Sequence, residues 1–265
     1  MTTLRDAIDH YIAWQRSHGV KFVSGVYLLN SFCKGFRLDT ECDAVTEAQV
    51  RAFLAGNGPL TRSRATRYGA LAGFYRYAIS RRYASCSPLP GNEPPRPRSA
   101  PPYIYSHDEL KRIFGVIDGC RRDARKLDAE TFRTLILLLY GTGLRRGEAC
   151  RLTVADVDLA EAVLTVRDTK FYKSRLVPVG PHLAGVLRTY ASRRAGRPMP
   201  TGVTSNFLAN RDGSPVNGST VHRAFGELLR AAGIHARDDG RGAPCVHSLR
   251  HTFAVHRLTS WYRQG

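Results

Sequence analysis

Apolar residues in the first 85 positions recur at helical rather than strand spacing. Leu4, Ile8, Tyr11 and Ile12 follow a candidate N-cap at Thr3 and predict a first helix. A second is predicted over residues 26–36, with Leu29, Phe32 and Cys33 inward. A third starts after Thr46, where Gln49 stands at capping-box spacing, and ends near Gly56. A fourth covers about residues 61–83, with Tyr68, Leu71, Tyr75 and Ile79 on one stripe. No alternating segment competes, so residues 1–85 predict a small four-helix domain.

The pattern then breaks. Residues 86–102 hold Pro88, Pro90, Pro94, Pro95, Pro97, Pro101 and Pro102, half of the 14 prolines in the chain. Proline lacks an amide N–H and biases its predecessor to extended conformations, so this stretch predicts a semi-rigid linker.

Residues 103–265 mix both periods. Ser106 and Glu109 form a capping-box pair that opens a helix running to about Asp118. A helix over residues 129–140 is apolar almost all round and therefore central. Residues 161–168 alternate, Val163 and Thr165 against Leu164 and Val166, and predict a strand. Residues 175–179 predict its hairpin partner, and Pro178 places that partner at a sheet edge. Helices follow over residues 182–194, 219–232 and 248–261, with a short strand at 206–209 closed by an RDGSP turn. The fold class expected is mainly α with a small β-sheet: a helical domain followed by an α+β domain.

Charge changes the picture. The 265 residues carry 40 Lys and Arg against 22 Asp and Glu, a net charge of +18. Such a chain attracts polyanions: nucleic acid first, an anionic membrane surface second. No basic amphipathic helix has the Trp/Phe/Leu-rich face that a membrane surface needs. The excess of Arg over Lys fits either the forked recognition of phosphate and guanine edges or a GC-rich genome, and the genome does not account for the net charge. The fourth helix region concentrates the effect: Arg62, Arg64, Arg67, Arg76, Arg81 and Arg82 occur there without one acid. A solvated helix face mixes signs, whereas an all-positive one suits a phosphate backbone or a major groove. Arg62, Arg64, Arg67 and Arg76 are the candidate DNA contacts.

Six cysteines at 33, 42, 86, 120, 150 and 245 form no C-x-x-C and no zinc spacing, so a reducing compartment is expected. The N-terminus lacks a signal-peptide core, and the longest apolar run, residues 135–140, is too short to span a bilayer. A cytoplasmic location is the expectation.

Three segments carry candidate chemistry. In Thr142-Gly143-Leu144-Arg145-Arg146-Gly147-Glu148, two glycines end the apolar helix and restart another with Arg145 at its beginning. Lys170 stands on the hairpin turn, from which a lysine can reach a bound phosphate or donate a proton. In His247-Ser248-Leu249-Arg250-His251, His247 and Arg250 fall three apart on one predicted helix face. The His247–His251 spacing also admits a metal, with Glu148 as third ligand only if folding brings it there. No Walker loop, dinucleotide fingerprint, G-x-S-x-G elbow or acidic metal cluster occurs, so no metal or other cofactor is expected.

The stretches LLLYGTGLRRGEACRLTVADVD, LTVRDTKFYKSRLVPVG and VHSLRHTFAVHRL occur in that order. Together they resemble the catalytic domain of the tyrosine recombinase (phage integrase) family, and residues 1–85 resemble that family's helical, SAM-like core-binding domain. The resemblance implies that Arg145 and Arg250 clamp the non-bridging oxygens of a scissile DNA phosphate. Glu148 supports Arg145, and Lys170 protonates the leaving 5′-oxygen. His247 bonds the phosphate or takes the nucleophile's proton. Lys173 is a further DNA contact, and the alternative to Lys170 as the catalytic lysine if the hairpin register slips. It implies a 3′-phosphotyrosine intermediate that conserves bond energy, double-stranded DNA as partner, and a homo- or hetero-tetramer on paired sites. The chain departs from the family after the His-x-x-Arg box. Only 15 residues follow Arg250, and Trp261 and Tyr262 come too early for the family's last two catalytic positions. Tyr262 reads as part of the same helix and is not assigned as nucleophile. The expectation is a chain cut before the catalytic tyrosine, which binds DNA but forms no covalent adduct alone. A tyrosine donated by another protomer is the other route. A non-catalytic DNA-binding protein and a type IB topoisomerase are the alternative functions.

Overall fold

The computed structural model describes residues 2–55, 62–91, 100–121, 127–167, 174–197, 202–237 and 239–264. The chain divides into two units, Met1–Ser99 and Ala100–Gly265.

In the first unit, Thr3 caps α1 (Leu4–Ser17), its hydroxyl accepting from the Asp6 N–H. Helix α2 (Val23–Cys33) starts three residues before the apolar period predicts. Phe22 takes a left-handed φ of 45° there and turns the chain into the helix. Its ring lies over Gly25, where any Cβ would collide with it. The Thr46–Gln49 box opens α3 (Glu47–Ala55): Gln49 Oε1 accepts from the Thr46 N–H at 2.9 Å, and Thr46 Oγ1 from the Gln49 N–H at 3.3 Å.

Helix α4 (Arg62–Ser80) buries Leu71, Phe74, Tyr75 and Ala78, the i, i+3, i+4, i+7 positions of one face. Ile79 departs from the predicted stripe; it lies one step past Ala78 and is 39% exposed. The core joins this face to Ile8, Leu29, Phe32, Val50 and Leu54. Leu89 packs on the same core and Tyr68 Oη donates to the Pro90 carbonyl, so the proline-rich segment begins as part of this unit. At its far end, the Pro101 carbonyl accepts from the Gly242 N–H within the second unit.

In the second unit, the Ser106–Glu109 box opens α5 (His107–Arg121). Asp128 caps α6 (Ala129–Thr142), its carboxylate accepting from the Thr131 N–H at 2.9 Å. As its sequence predicts, α6 is buried on several sides: α5 and two later helices, α8 (Pro181–Arg194) and α10 (Ser248–Gln264), all pack on it. Short α7 (Arg146–Arg151) follows, and α9 (Gly218–Ala231) packs against both α5 and α7.

The sheet is antiparallel, in the order β1 (Val157–Asp158), β2 (Val163–Val166), β3 (Arg175–Pro178). Leu164 and Val166 point into the core, and Pro178 does lie on an edge strand. Strand β1 is too short to leave an alternation in the sequence. The strand predicted at 206–209 is corrected: the segment makes only isolated bridges, Thr153 with Asn206 and Ala209 with Pro215. Phe207, Leu208 and Ala209 are all buried, so no alternating face exists there. No helix among the described residues is long and apolar enough to cross a membrane.

Candidate functional site

Gly143 organises the first corner of the site. It ends α6 in a left-handed conformation, φ 64°, and a Cβ there would lie 2.5 Å from Cδ1 of the Phe253 ring on α10. Glycine meets both demands, because it has no Cβ to strain or to collide. Its carbonyl then accepts a 2.6 Å hydrogen bond from Nη1 of Arg250, tying α10 to the α6–α7 turn.

Two residues on, Arg145 occupies the N-cap of α7. Glu148 on the first turn accepts from the Arg145 N–H and from Arg145 Nη1, both at 2.9 Å. The other side of the same carboxylate faces β3. Arg175 donates to it through Nη2 at 2.7 Å and Nη1 at 3.3 Å. The Glu148 side chain is 4% exposed, and burial alone would raise its pKa. The Arg175 fork, the Arg145 amide and the Arg145 guanidinium overcome that penalty and hold the carboxyl at about 2, down from 4.5.

Arg250 lies in the first turn of α10, and His247 on the turn just before it, not inside the helix as the spacing predicted. The α10 entry is fixed by Thr252, whose hydroxyl accepts from the Tyr105 N–H at 3.0 Å and donates to Ser248 O at 2.8 Å. Partial burial lowers the Arg250 pKa, and the Arg145 and Arg175 cations lower it further while Glu148 opposes them. The His247 imidazole is also held below its ordinary value, first by desolvation and then by His251, Arg250, Arg145 and Arg146. His247 and His251 stand edge to face, ring centroids 5.1 Å apart. Among the described residues no three His, Cys, Asp or Glu side chains assemble as a metal cluster. Glu148, the third ligand considered from sequence, is instead held by two arginines.

Arg145, Glu148, His247 and Arg250 thus converge from two segments a hundred residues apart in sequence. Lys170 and Lys173 lie outside the described residues. Arg175 was not among the residues singled out from sequence. In a chain with 40 Lys and Arg, one more arginine at a strand start carries no signal; only the pairing of Arg175 with Val166 beside Glu148 distinguishes it.

The basic face of the first unit is divided. Arg76 is exposed. Arg67 turns its guanidinium inward, donating to Phe53 O at 3.0 Å and lying 5.5 Å over the Phe53 ring, so packing occupies part of what sequence assigned to DNA. Arg64 is half-buried, with Nε buried and unpartnered. The Arg62 side chain lies outside the described residues.

One carboxylate thus organises arginines from α7 and β3 beside a third arginine and a histidine, an arrangement chemically suited to an anion. The relatives define the class of protein. Residues 105–260 match the model of the phage integrase family. The integrase/recombinase-like protein y4rB of Sinorhizobium fredii is 33% identical over 264 residues, covering 99% of this chain and 84% of that protein. Tyrosine recombinase XerC of Chlorobaculum tepidum is 31% identical over 234 residues, covering 82% of this chain and 68% of that protein. The fold matches a lambda integrase tetramer bound to a Holliday junction, with a TM-score of 0.70 at 18% identity, over 96% of this chain and 73% of that one. The chain belongs to the phage integrase family, the tyrosine recombinases.

Proposed function

We propose that this chain is a tyrosine-type site-specific recombinase that binds duplex DNA and holds one backbone phosphate at the Arg145–Glu148–His247–Arg250 cluster. The single observation that carries the reading is the convergence of Arg145 and Arg250 at the α6–α7 turn, both beside Glu148. Among the described residues, Arg145 donates to Glu148 through its side-chain Nη1, and Arg250 to Gly143 through Nη1. The remaining N–H groups of both forks are available to non-bridging phosphate oxygens, where charge gathers as a nucleophile attacks in line. Glu148, ionised at neutral pH, keeps Arg145 in place. His247, neutral at pH 7, donates one hydrogen bond to the phosphate or takes a proton. Lys170 is the general acid for the leaving 5′-oxygen, and Lys173 with Arg76 adds backbone contacts.

Tyr262 does not serve as the nucleophile in this arrangement. It is 88% exposed on the same continuous helix as Arg250, twelve residues on, about 18 Å along the axis. The attacking tyrosine is therefore one other than Tyr262. The working form is a tetramer on paired DNA sites, in the cytoplasm. Residues 1–85 and 103–265 act as core-binding and catalytic domains.

The test uses fluorescence anisotropy of a labelled duplex selected from a randomised library. Binding is expected to fall linearly in log K against log salt, as phosphate contacts release counterions. Arg145→Ala is expected to weaken it. A salt-independent affinity overturns the proposal. A covalent adduct on a nicked version of the selected duplex that vanishes in Tyr262→Phe overturns the exclusion of Tyr262.

A further inference from the structure

We propose that Arg175 is a positioning residue for the phosphate site, acting by taking the Glu148 charge so that Arg145 stays free for the DNA. This deepens the function proposed above and rests on it. A carboxylate beside a lone arginine forms a closed ion pair whose field at a third party is weak. Here Glu148 is shared. Arg175 makes the forked, two-point contact, Nη2 to Oε2 at 2.7 Å and Nη1 to Oε1 at 3.3 Å. Arg145 contributes one side-chain bond at 2.9 Å, and its side chain stays 51% exposed against 37% for Arg175.

The charge balance follows. Arg145, Arg175 and Arg250 against Glu148 leave two net positive charges at the cluster. Without Arg175 a single one remains, and Glu148 competes directly with DNA for Arg145. The location serves the role. Arg175 opens β3 and pairs with Val166, the last residue of β2. The backbone of a paired strand fixes where its guanidinium sits, which an arginine on a loop would not achieve.

A double-mutant cycle tests this, with anisotropy of the selected duplex as readout and circular dichroism confirming the fold of each variant. Arg175→Gln is expected to weaken binding about tenfold, the scale of one partly screened charge near a phosphate. Arg175→Lys keeps the charge and is expected to recover most of the affinity while losing the fork. The decisive arm is the Glu148→Gln background. If Arg175 acts by occupying Glu148, adding Arg175→Gln there costs about threefold or less, well short of the loss in the wild-type background, because only the long-range charge is then removed and no carboxylate is released onto Arg145. An equal loss in both backgrounds overturns the proposal and makes Arg175 a direct DNA contact. No loss in either background overturns it as well. Failure of the underlying function is separate: the wild-type chain would then bind duplex without dependence on Arg145. If Arg175→Gln does not fold, the cycle is run with Arg175→Met, which keeps most of the stem and removes the charged fork, and the same dependence on Glu148 is required.

Discussion

Replacing Glu148 by glutamine removes one charge and little volume, and its cost can be worked from the site. The carboxyl is nearly fully buried, meets the Arg145 amide and two guanidiniums, and titrates at about 2 instead of 4.5. A shift of that size means that the ionised form is favoured over the neutral one by about 3 kcal/mol more in the folded chain than in the unfolded one. The glutamine amide approximates the neutral carboxyl but also turns an N–H towards arginine donors. Removal of one partner from a buried ion pair costs about 3–5 kcal/mol for the same reason. Glu148→Gln should therefore destabilise the second unit by at least about 3 kcal/mol at neutral pH. Because the folded value is depressed, this stabilisation is complete above pH 4.5 and is lost as pH falls towards 2. Urea unfolding of both proteins by circular dichroism, repeated across that range, measures the gap. Subtracting one curve from the other cancels the other carboxylates. Equal stability at neutral pH, or a gap that fails to close on acidification, refutes the reasoning.

Further outcomes are expected. Gly143→Ala should destabilise by about 2 kcal/mol or more in urea unfolding, because the left-handed φ of 64° and the Phe253 ring both exclude a Cβ. Arg67→Ala should cost about 1–2 kcal/mol of stability, from the lost Phe53 carbonyl bond and ring contact. Arg76→Ala should leave stability unchanged and reduce the slope of log K against log salt by about one, measured by anisotropy. His247 should titrate below 6.5 by NMR of its ring protons. Its folded value is depressed, so its contribution to stability falls as pH drops below 6.5, and His247→Gln should remove that component.

Much of the architecture was legible before folding. The caps at Thr3, Thr46 and Ser106 are side chain to backbone bonds spanning three residues, and the apolar period of α6 follows directly from burial on several sides. Where local signals are absent the reading faltered: β1 spans two residues, and 206–209 is buried without pairing along its length. Arg67 illustrates a second limit. Sequence shows an arginine on a basic helix, but only packing shows that Phe53 claims it.

The sequence alone determined most helix positions, the basic character and, through three ordered segments, the family, and it singled out Arg145, Glu148, His247 and Arg250 as candidates. Those properties are local, or survive as fixed residue patterns. Tertiary structure decided that the Glu148 charge is shared with Arg175, that Gly143 holds Arg250, and that Tyr262 runs away from the cluster along α10. The first depends on α7 meeting β3, and the second on α10 meeting the α6–α7 turn. Hydrogen-bond geometry between distant segments is set by core packing, and leaves no period or spacing in the chain to read.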